Sequence, residues 1–160
     1  MPSKQPRQPY QDTEVHWLKS QGEIGALLEK QGIKDFQFSS IGSQRILALQ
    51  FVRPTRQKDG TTLPIPVRIT IPNVHEDNRN QVHRLLYFWL KSKFEALNFG
   101  LVEFTEEFFA HLVVPDQYGQ TTTIYRQLAP QYMDGLATGR VPALNLLPER
   151  ALTEGKEGRR

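Results

Sequence analysis

Asn78-Arg79-Asn80-Gln81-Val82-His83-Arg84-Leu85-Leu86-Tyr87-Phe88-Trp89-Leu90-Lys91-Ser92-Lys93-Phe94-Glu95-Ala96-Leu97-Asn98-Phe99-Gly100 is the stretch around which the chain is organised. Val82, Leu85, Leu86, Trp89, Leu90, Phe94 and Leu97 recur at the three- and four-residue steps of an α-helix, interrupted only by Lys93. The reading is a helix over 78–99, about 22 residues and roughly 33 Å long. Gly100 supplies a left-handed exit, and Leu101 the apolar contact that accompanies such a cap. Leu85 to Leu90 is apolar nearly all round, so it needs cover on more than one side. Tyr87 and Phe88 fall off the stripe and form the candidate partner-binding pair.

Upstream of this helix the pattern changes to period two. Asp35-Phe36-Gln37-Phe38-Ser39 alternates, and Ile41-Gly42-Ser43-Gln44 reads as a turn. Arg45 to Arg53 places Ile46, Ala48 and Val52 on one side and Leu47, Leu49 and Phe51 on the other. Both faces are apolar, which predicts a central strand covered twice. Residues 54–63 read as a basic loop with an Asp59-Gly60 turn. Ile65, Val67, Ile69 and Ile71 share one face of a third strand, and Pro66 and Pro72 put it at a sheet edge. Before the sheet, Ser20-Gln21-Gly22-Glu23 has the form of a capping box, with Ile24, Leu27 and Leu28 at helical spacing and Gly32 as the exit. That places a first helix over 21–31. Gly25 either weakens this helix or admits a close neighbour. Thr13 to Leu18 reads as a short strand or as a Trp17 staple beneath the helix.

Downstream, Thr105-Glu106-Glu107 opens a helix carrying Phe108, Phe109 and Leu112 up to Pro115. Asp116 to Gln120 is a turn. A last helix runs from about Thr122 through Pro130 to Gly139, with Ile124, Tyr125, Leu128, Tyr132, Met133 and Leu136 as its apolar stripe. The expected fold is therefore α+β in the order α-β-β-β-α-α-α: an N-terminal helix, a three-stranded antiparallel sheet, the long central helix and C-terminal helices. Residues 1–12 are expected to be a disordered arm, 13–140 a single domain, and 141–160 a flexible tail. The order αβββα is shared with double-stranded-RNA-binding domains. The lysine run that opens their second helix is absent, and Val74-His75-Glu76-Asp77-Asn78-Arg79 stands there instead.

Composition narrows the chemistry. The chain has no cysteine, which removes disulfides, thiolate nucleophiles and cysteine metal sites and fits a reducing cytosol. The six-residue apolar run Leu85 to Leu90 falls far short of the roughly 20 residues that cross a bilayer, and the N-terminus lacks a signal-peptide core. A soluble protein of the (host) cytoplasm, without a membrane partner, is expected. Residues 1–100 hold 14 Lys/Arg against 9 Asp/Glu, whereas residues 101–160 hold 6 against 8. The basic bias lies in the N-terminal part.

That bias defines the nucleic-acid candidates. Arg45, Arg53, Arg56, Lys58 and Arg68 lie on strands or one loop; Arg84 and Lys91 lie seven apart on the long helix. Phosphate binding needs a shared cationic surface, and Tyr10, Trp17 or Tyr87 would stack bases. The competing account is an ordinary solvated surface with long cationic side chains flanking the apolar stripe. Two groups have metal- or acid–base-type residues. His75-Glu76-Asp77 with His83 would need three or four ligands to converge; a helix-capping role is simpler. Glu107 and His111 are four apart, as a helical side-chain pair or a base with its partner. Glu103, Glu106 and Asp116 could join Glu107 around Mg²⁺ in a metal-dependent nuclease, although an acidic helix start explains them better. No phosphate-cradling glycine loop and no nucleophile elbow occur. No catalytic residue, metal ligand or cofactor is assigned.

Two stretches resemble a group of small uncharacterised proteins encoded in phages and prophages. Lys19-Ser20-Gln21-Gly22-Glu23-Ile24, with Leu27-Leu28 and Gly32, is similar to their opening. The more specific similarity is Lys91-Ser92-Lys93-Phe94-Glu95-Ala96-Leu97, Phe99-Gly100-Leu101, Phe104, Glu106-Glu107-Phe108 and Ala110-His111-Leu112, continuing through Pro115-Asp116 and Gly119-Gln120-Thr121 to Leu146-Leu147-Pro148. Gln117-Tyr118 is an insertion relative to that pattern. The resemblance implies a mobile-element or viral origin and an α+β fold. The group has no assigned activity, so it carries over no site residue. Two functions follow as expectations. The first is a non-enzymatic phage-type accessory protein touching DNA or RNA through its basic sheet and loop. The second is an interaction module that binds itself or a phage or host protein through the aromatic helix.

Overall fold

The computed structural model describes residues 6–140. The protein has an α+β fold. In chain order its elements are α1 (Trp17–Lys30), β1 (Asp35–Ile41), β2 (Ile46–Arg56), β3 (Thr62–Ile71), α2 (Arg79–Phe99), α3 (Phe104–Glu107), β4 (Val113–Pro115), β5 (Thr121–Thr123) and α4 (Ile124–Ala137). The chain divides into two compact units, residues 1–124 and 125–160. No helix among the described residues is long and apolar enough to cross a membrane. The expected tail, 141–160, lies outside the described residues.

The first unit is an antiparallel sheet in the order β1-β2-β3, with α1 and α2 on one face. Its register pairs Phe38 with Leu49 and Leu49 with Ile69, so the odd-numbered residues of β2 and β3 point at the helices. The strands run beyond the expected ends, pairing Arg56 with Thr62 and reducing the expected 54–63 loop to a turn over 57–61. There the Asp59 carboxylate accepts from the Thr61 N–H at 2.9 Å and hydroxyl at 2.6 Å. Pro54 faces Pro64 across this extension. It is tolerated in the central strand because β1 pairs only as far as Val52, leaving β2 an edge on that side. The expectation of a strand covered on both faces is corrected: Leu47, Leu49 and Phe51 are buried, but Ile46, Ala48 and Val52 are only half-buried.

Tertiary contacts move the start of α1. The helix begins at Trp17, not at Gln21, because the Trp17 N–H donates to Asn80 Oδ1 at 2.9 Å and its ring lies under the Arg79 guanidinium. His16 caps it, its Nδ1 accepting from the Leu18 N–H. Ser20 is therefore inside the helix and fully buried, not at its cap. At the other end Gly32 adopts φ +76°, and the Ile33 N–H returns to the Leu28 carbonyl, as a Schellman exit requires. Gly25 is the close-approach position, since a Cβ there would stand 3.1 Å from Phe36.

Helix α2 ends as its sequence predicts, with Gly100 at φ +81° and the Leu101 N–H bonded to the Ala96 carbonyl. Its fully buried residues are His83, Leu86, Leu90 and Phe94. The stripe is thus rotated relative to expectation, and Leu85 is 37% exposed. Phe108 is the hub of the aromatic core, with ring centroids 4.9 Å from Phe104, 5.5 Å from Phe94 and 5.7 Å from Phe51.

The C-terminal part departs most from expectation. The helix expected up to Pro115 is one turn of α3 followed by a 3₁₀ turn at Phe109–His111. The turn after Pro115 closes a small hairpin, β4–β5, in which the Asp116 carboxylate accepts from the Tyr118 and Gln120 N–H groups. Within the expected arm, residues 6–12 make contacts with α2. Tyr10 stacks on Phe88 at 5.0 Å and 8°, and Gln81 donates to the Pro9 carbonyl at 2.8 Å. Residues 1–5 lie outside the described residues.

Candidate functional site

The seven basic candidates do not share a face. Arg45 sits at the β1–β2 turn with φ +53°, exposed. Arg56 and Lys58 are at the opposite end of β2, roughly 35 Å away along the strand. Arg68 points to the uncovered side of the sheet, donating to the Thr121 hydroxyl at 2.9 Å and carbonyl at 3.3 Å. Arg84 and Lys91 lie on the helical side. Arg84 pairs with Glu23 and covers the Tyr87 and Phe88 rings at 4.8 and 4.7 Å. Lys91 meets Glu95 at 3.7 Å. The odd number of Arg53 puts it on the core side with Phe51, and it lines one cavity together with Arg56.

The candidate partner pair is also engaged internally. Phe88 is sandwiched between Tyr10 and Arg84, and Tyr87 packs against Phe88. Both rings are half-buried. The would-be stacking residues Tyr10 and Trp17 are likewise held by Phe88 and Arg79.

The acid–base and metal candidates fall apart. Among the described residues, no group of three His, Asp or Glu converges as a metal site would need. His83 is buried, its Nδ1 donating to the Arg79 carbonyl at 2.8 Å and its Nε2 accepting from the Gln21 amide at 3.1 Å. Burial lowers its pKa, which keeps it neutral. The His75 N–H is bonded to Asn78 Oδ1, so Asn78, and not Glu76 or Asp77, orders the entry to α2. Glu107 and His111 lie on different turns. Glu107 pairs with Lys93, and His111 stands edge-on to Trp89, its pKa lowered by burial and then by the Lys93 charge. Lys93, the break in the stripe, lies 4.4 Å from the Trp89 centroid, so its charge is held by a carboxylate and a ring face.

Two of the concave features on the first unit have a distinctive lining. The first is a wholly apolar groove of about 310 Å³ lined by Ile69, Ile71, Val82, Leu85, Leu86 and Trp89. It arises because α3 and the 3₁₀ turn after it cover α2 only as far as Trp89, where Phe108 and His111 pack. Beyond that, no described residue of the first unit covers the flank of α2 and the end of β3. The spacing 82, 85, 86, 89 was legible as part of a stripe, but not which part of the stripe would go uncovered.

The second is a cavity of about 590 Å³ between the end of β2 and the α2–α3 corner. Arg53, Thr55, Leu97, Leu101, Glu103 and Phe104 are among its walls. The Arg53 guanidinium lies 4.4 Å from the Phe104 centroid. One terminal nitrogen of Arg53 and the Thr55 hydroxyl are enclosed with no hydrogen-bond partner. Each such group costs about 1–3 kcal/mol, more when charged. Burial lowers the Arg53 pKa. Thr55 stands out by no motif in the sequence, Leu97 only as part of the α2 stripe, and Phe104 only in the family resemblance. The parity of Leu47, Leu49, Phe51, Arg53 and Thr55 was the signal that would have found the polar wall.

Comparison with known proteins adds no further constraint: no family model, no curated protein and no solved structure matches the chain.

Proposed function

We propose that the protein is a small non-enzymatic interaction module of the phage accessory type, and that it associates with a second copy of itself. The observation that carries this reading is the wholly apolar α2–β3 groove. Sheltering such a surface favours association. The chain also supplies a matching shape. On α4, Leu128, Tyr132 and Leu136 are each about half exposed. They lie eight residue steps apart end to end, about 12 Å of helix, against about 10.5 Å from Val82 to Trp89. An amphipathic helix laid along another helix in an apolar groove is a recurrent recognition mode. In the proposed dimer, α4 of each copy lies in the groove of the other, an isologous arrangement that closes at two. Contact with DNA or RNA is the less favoured reading, because the basic candidates are dispersed and two of them are acid-paired.

Sedimentation velocity from about 10 to 300 µM, a range bracketing a modest micromolar affinity, tests the dimer. The wild type is expected to dimerise, and Leu85→Glu and Leu128→Glu are each expected to be monomeric. An equimolar mixture of the two variants regains one intact groove and one intact helix, so it should form a heterodimer. A wild type that stays monomeric throughout, or single variants that still dimerise, would overturn the reading.

A further inference from the structure

The cavity at the α2–α3 corner has a different character from the apolar groove and stands whether or not the chain self-associates. Arg53 reaches it from the core side of β2 with one face of its guanidinium covered by Phe104. No carboxylate among the described residues lies within ion-pair distance of it, although Glu103 and Glu106 stand at the rim, exposed. The enclosed Arg53 nitrogen and the Thr55 hydroxyl, both without partners, belong to residues of the same wall. A stacked, planar fork beside a hydroxyl suits a two-oxygen acceptor. Leu97, Leu101 and Phe104 supply apolar surface next to it.

We propose that this cavity binds a carboxylate carried on an apolar body, the carboxylate pairing with the Arg53 guanidinium and the body lying on Leu97, Leu101 and Phe104. Arg56, Glu103 and Glu106 also line the cavity, so the apolar body and not net charge sets the choice over inorganic phosphate. The volume, about 590 Å³, exceeds what a bare carboxylate needs and falls within the range of small-ligand pockets. The carboxylate has two natural sources, a free small acid and the C-terminus of a peptide.

The test is a titration of the isotope-labelled full chain, read from the backbone amides of Thr55, Gly100 and Phe104 and the Arg53 side-chain N–H. The probes are N-acetyl-phenylalanine, the tripeptide acetyl-Ala-Ala-Phe with a free C-terminus, the amide of each, and inorganic phosphate. Saturable shifts with the acids are expected, with at least about tenfold weaker binding of the amides from loss of a charge-assisted pair, and weaker binding of phosphate from loss of the apolar contacts. A tripeptide that binds better than the amino acid assigns the peptide source, and the reverse assigns the free acid. Arg53→Gln should weaken the acids by about tenfold or more, with amide dispersion retained. If Arg53→Gln does not fold, Arg53→Lys replaces it: it keeps the charge, loses the fork, and should still weaken binding. No saturable shift with either acid, amides that bind as well as acids, or variants that bind as well as wild type would each overturn the site.

Discussion

Ser20 shows how a single residue can satisfy a motif and yet play another part. Its place in Ser20-Gln21-Gly22-Glu23 has the form of a capping box, and a capping hydroxyl replaced by alanine costs about 0.5–2 kcal/mol. In the folded chain the helix starts at Trp17, and Ser20 lies inside it, buried, with its hydroxyl unpartnered. Alanine there removes an unsatisfied polar group and improves helix propensity. Ser20→Ala is therefore expected to be neutral or to stabilise by up to about 1 kcal/mol, measured as the urea midpoint at constant slope. A loss of 1 kcal/mol or more would return Ser20 to the capping role. Arg53 is the converse case. Its charge groups it with the surface cations, whereas its parity with Leu47, Leu49 and Phe51 puts it on the core side. Charge type and strand parity gave different answers, and parity decided.

At the scale of elements, the boundary between legible and illegible structure follows element length. Helices α1 and α2 and strands β1–β3 each repeat their own period often enough to declare themselves, and the α-β-β-β-α order follows. Helix α3, β4 and β5 contain only three or four residues each. Such pieces have no period; their tertiary contacts set them. Phe108, just past α3, is completely buried against four other rings, whereas its neighbour Phe109 is 52% exposed. A continuous helix would not rank the two so sharply from sequence. Phe108→Ala is expected to cost about 3–5 kcal/mol and Phe109→Ala less than about 0.5 kcal/mol, read from chemical denaturation of the two variants. Similar losses from both would mean that the α3 turn does not pack as described. The rotation of α2 has the same origin. Its stripe was plain in the sequence, but the uncovered flank at Val82 and Leu85 depends on how far α3 reaches.

For the whole molecule, the question is whether the basic bias of residues 1–100 amounts to a surface. Counterion release makes this measurable, because the logarithm of affinity for duplex DNA falls with the logarithm of salt by about 0.9 per phosphate contacted. Seven cations on one face would give a slope near −6. The fold instead puts Arg45 at one end of β2, Arg56 and Lys58 at the other, Arg68 on the open side of the sheet, and Arg84 and Lys91 among acids on the helical side. No approach brings more than two or three of them to one duplex. The expected slope is therefore no steeper than about −3, with no retention in a mobility shift near physiological salt. Arg45→Ala and Arg56→Ala should act independently, each moving the low-salt affinity modestly. A slope near −6, or a retained complex at moderate salt, would restore the nucleic-acid reading and set aside self-association as the main activity. A shallow slope with a concentration-dependent dimer would leave the apolar groove as the surface through which the protein works.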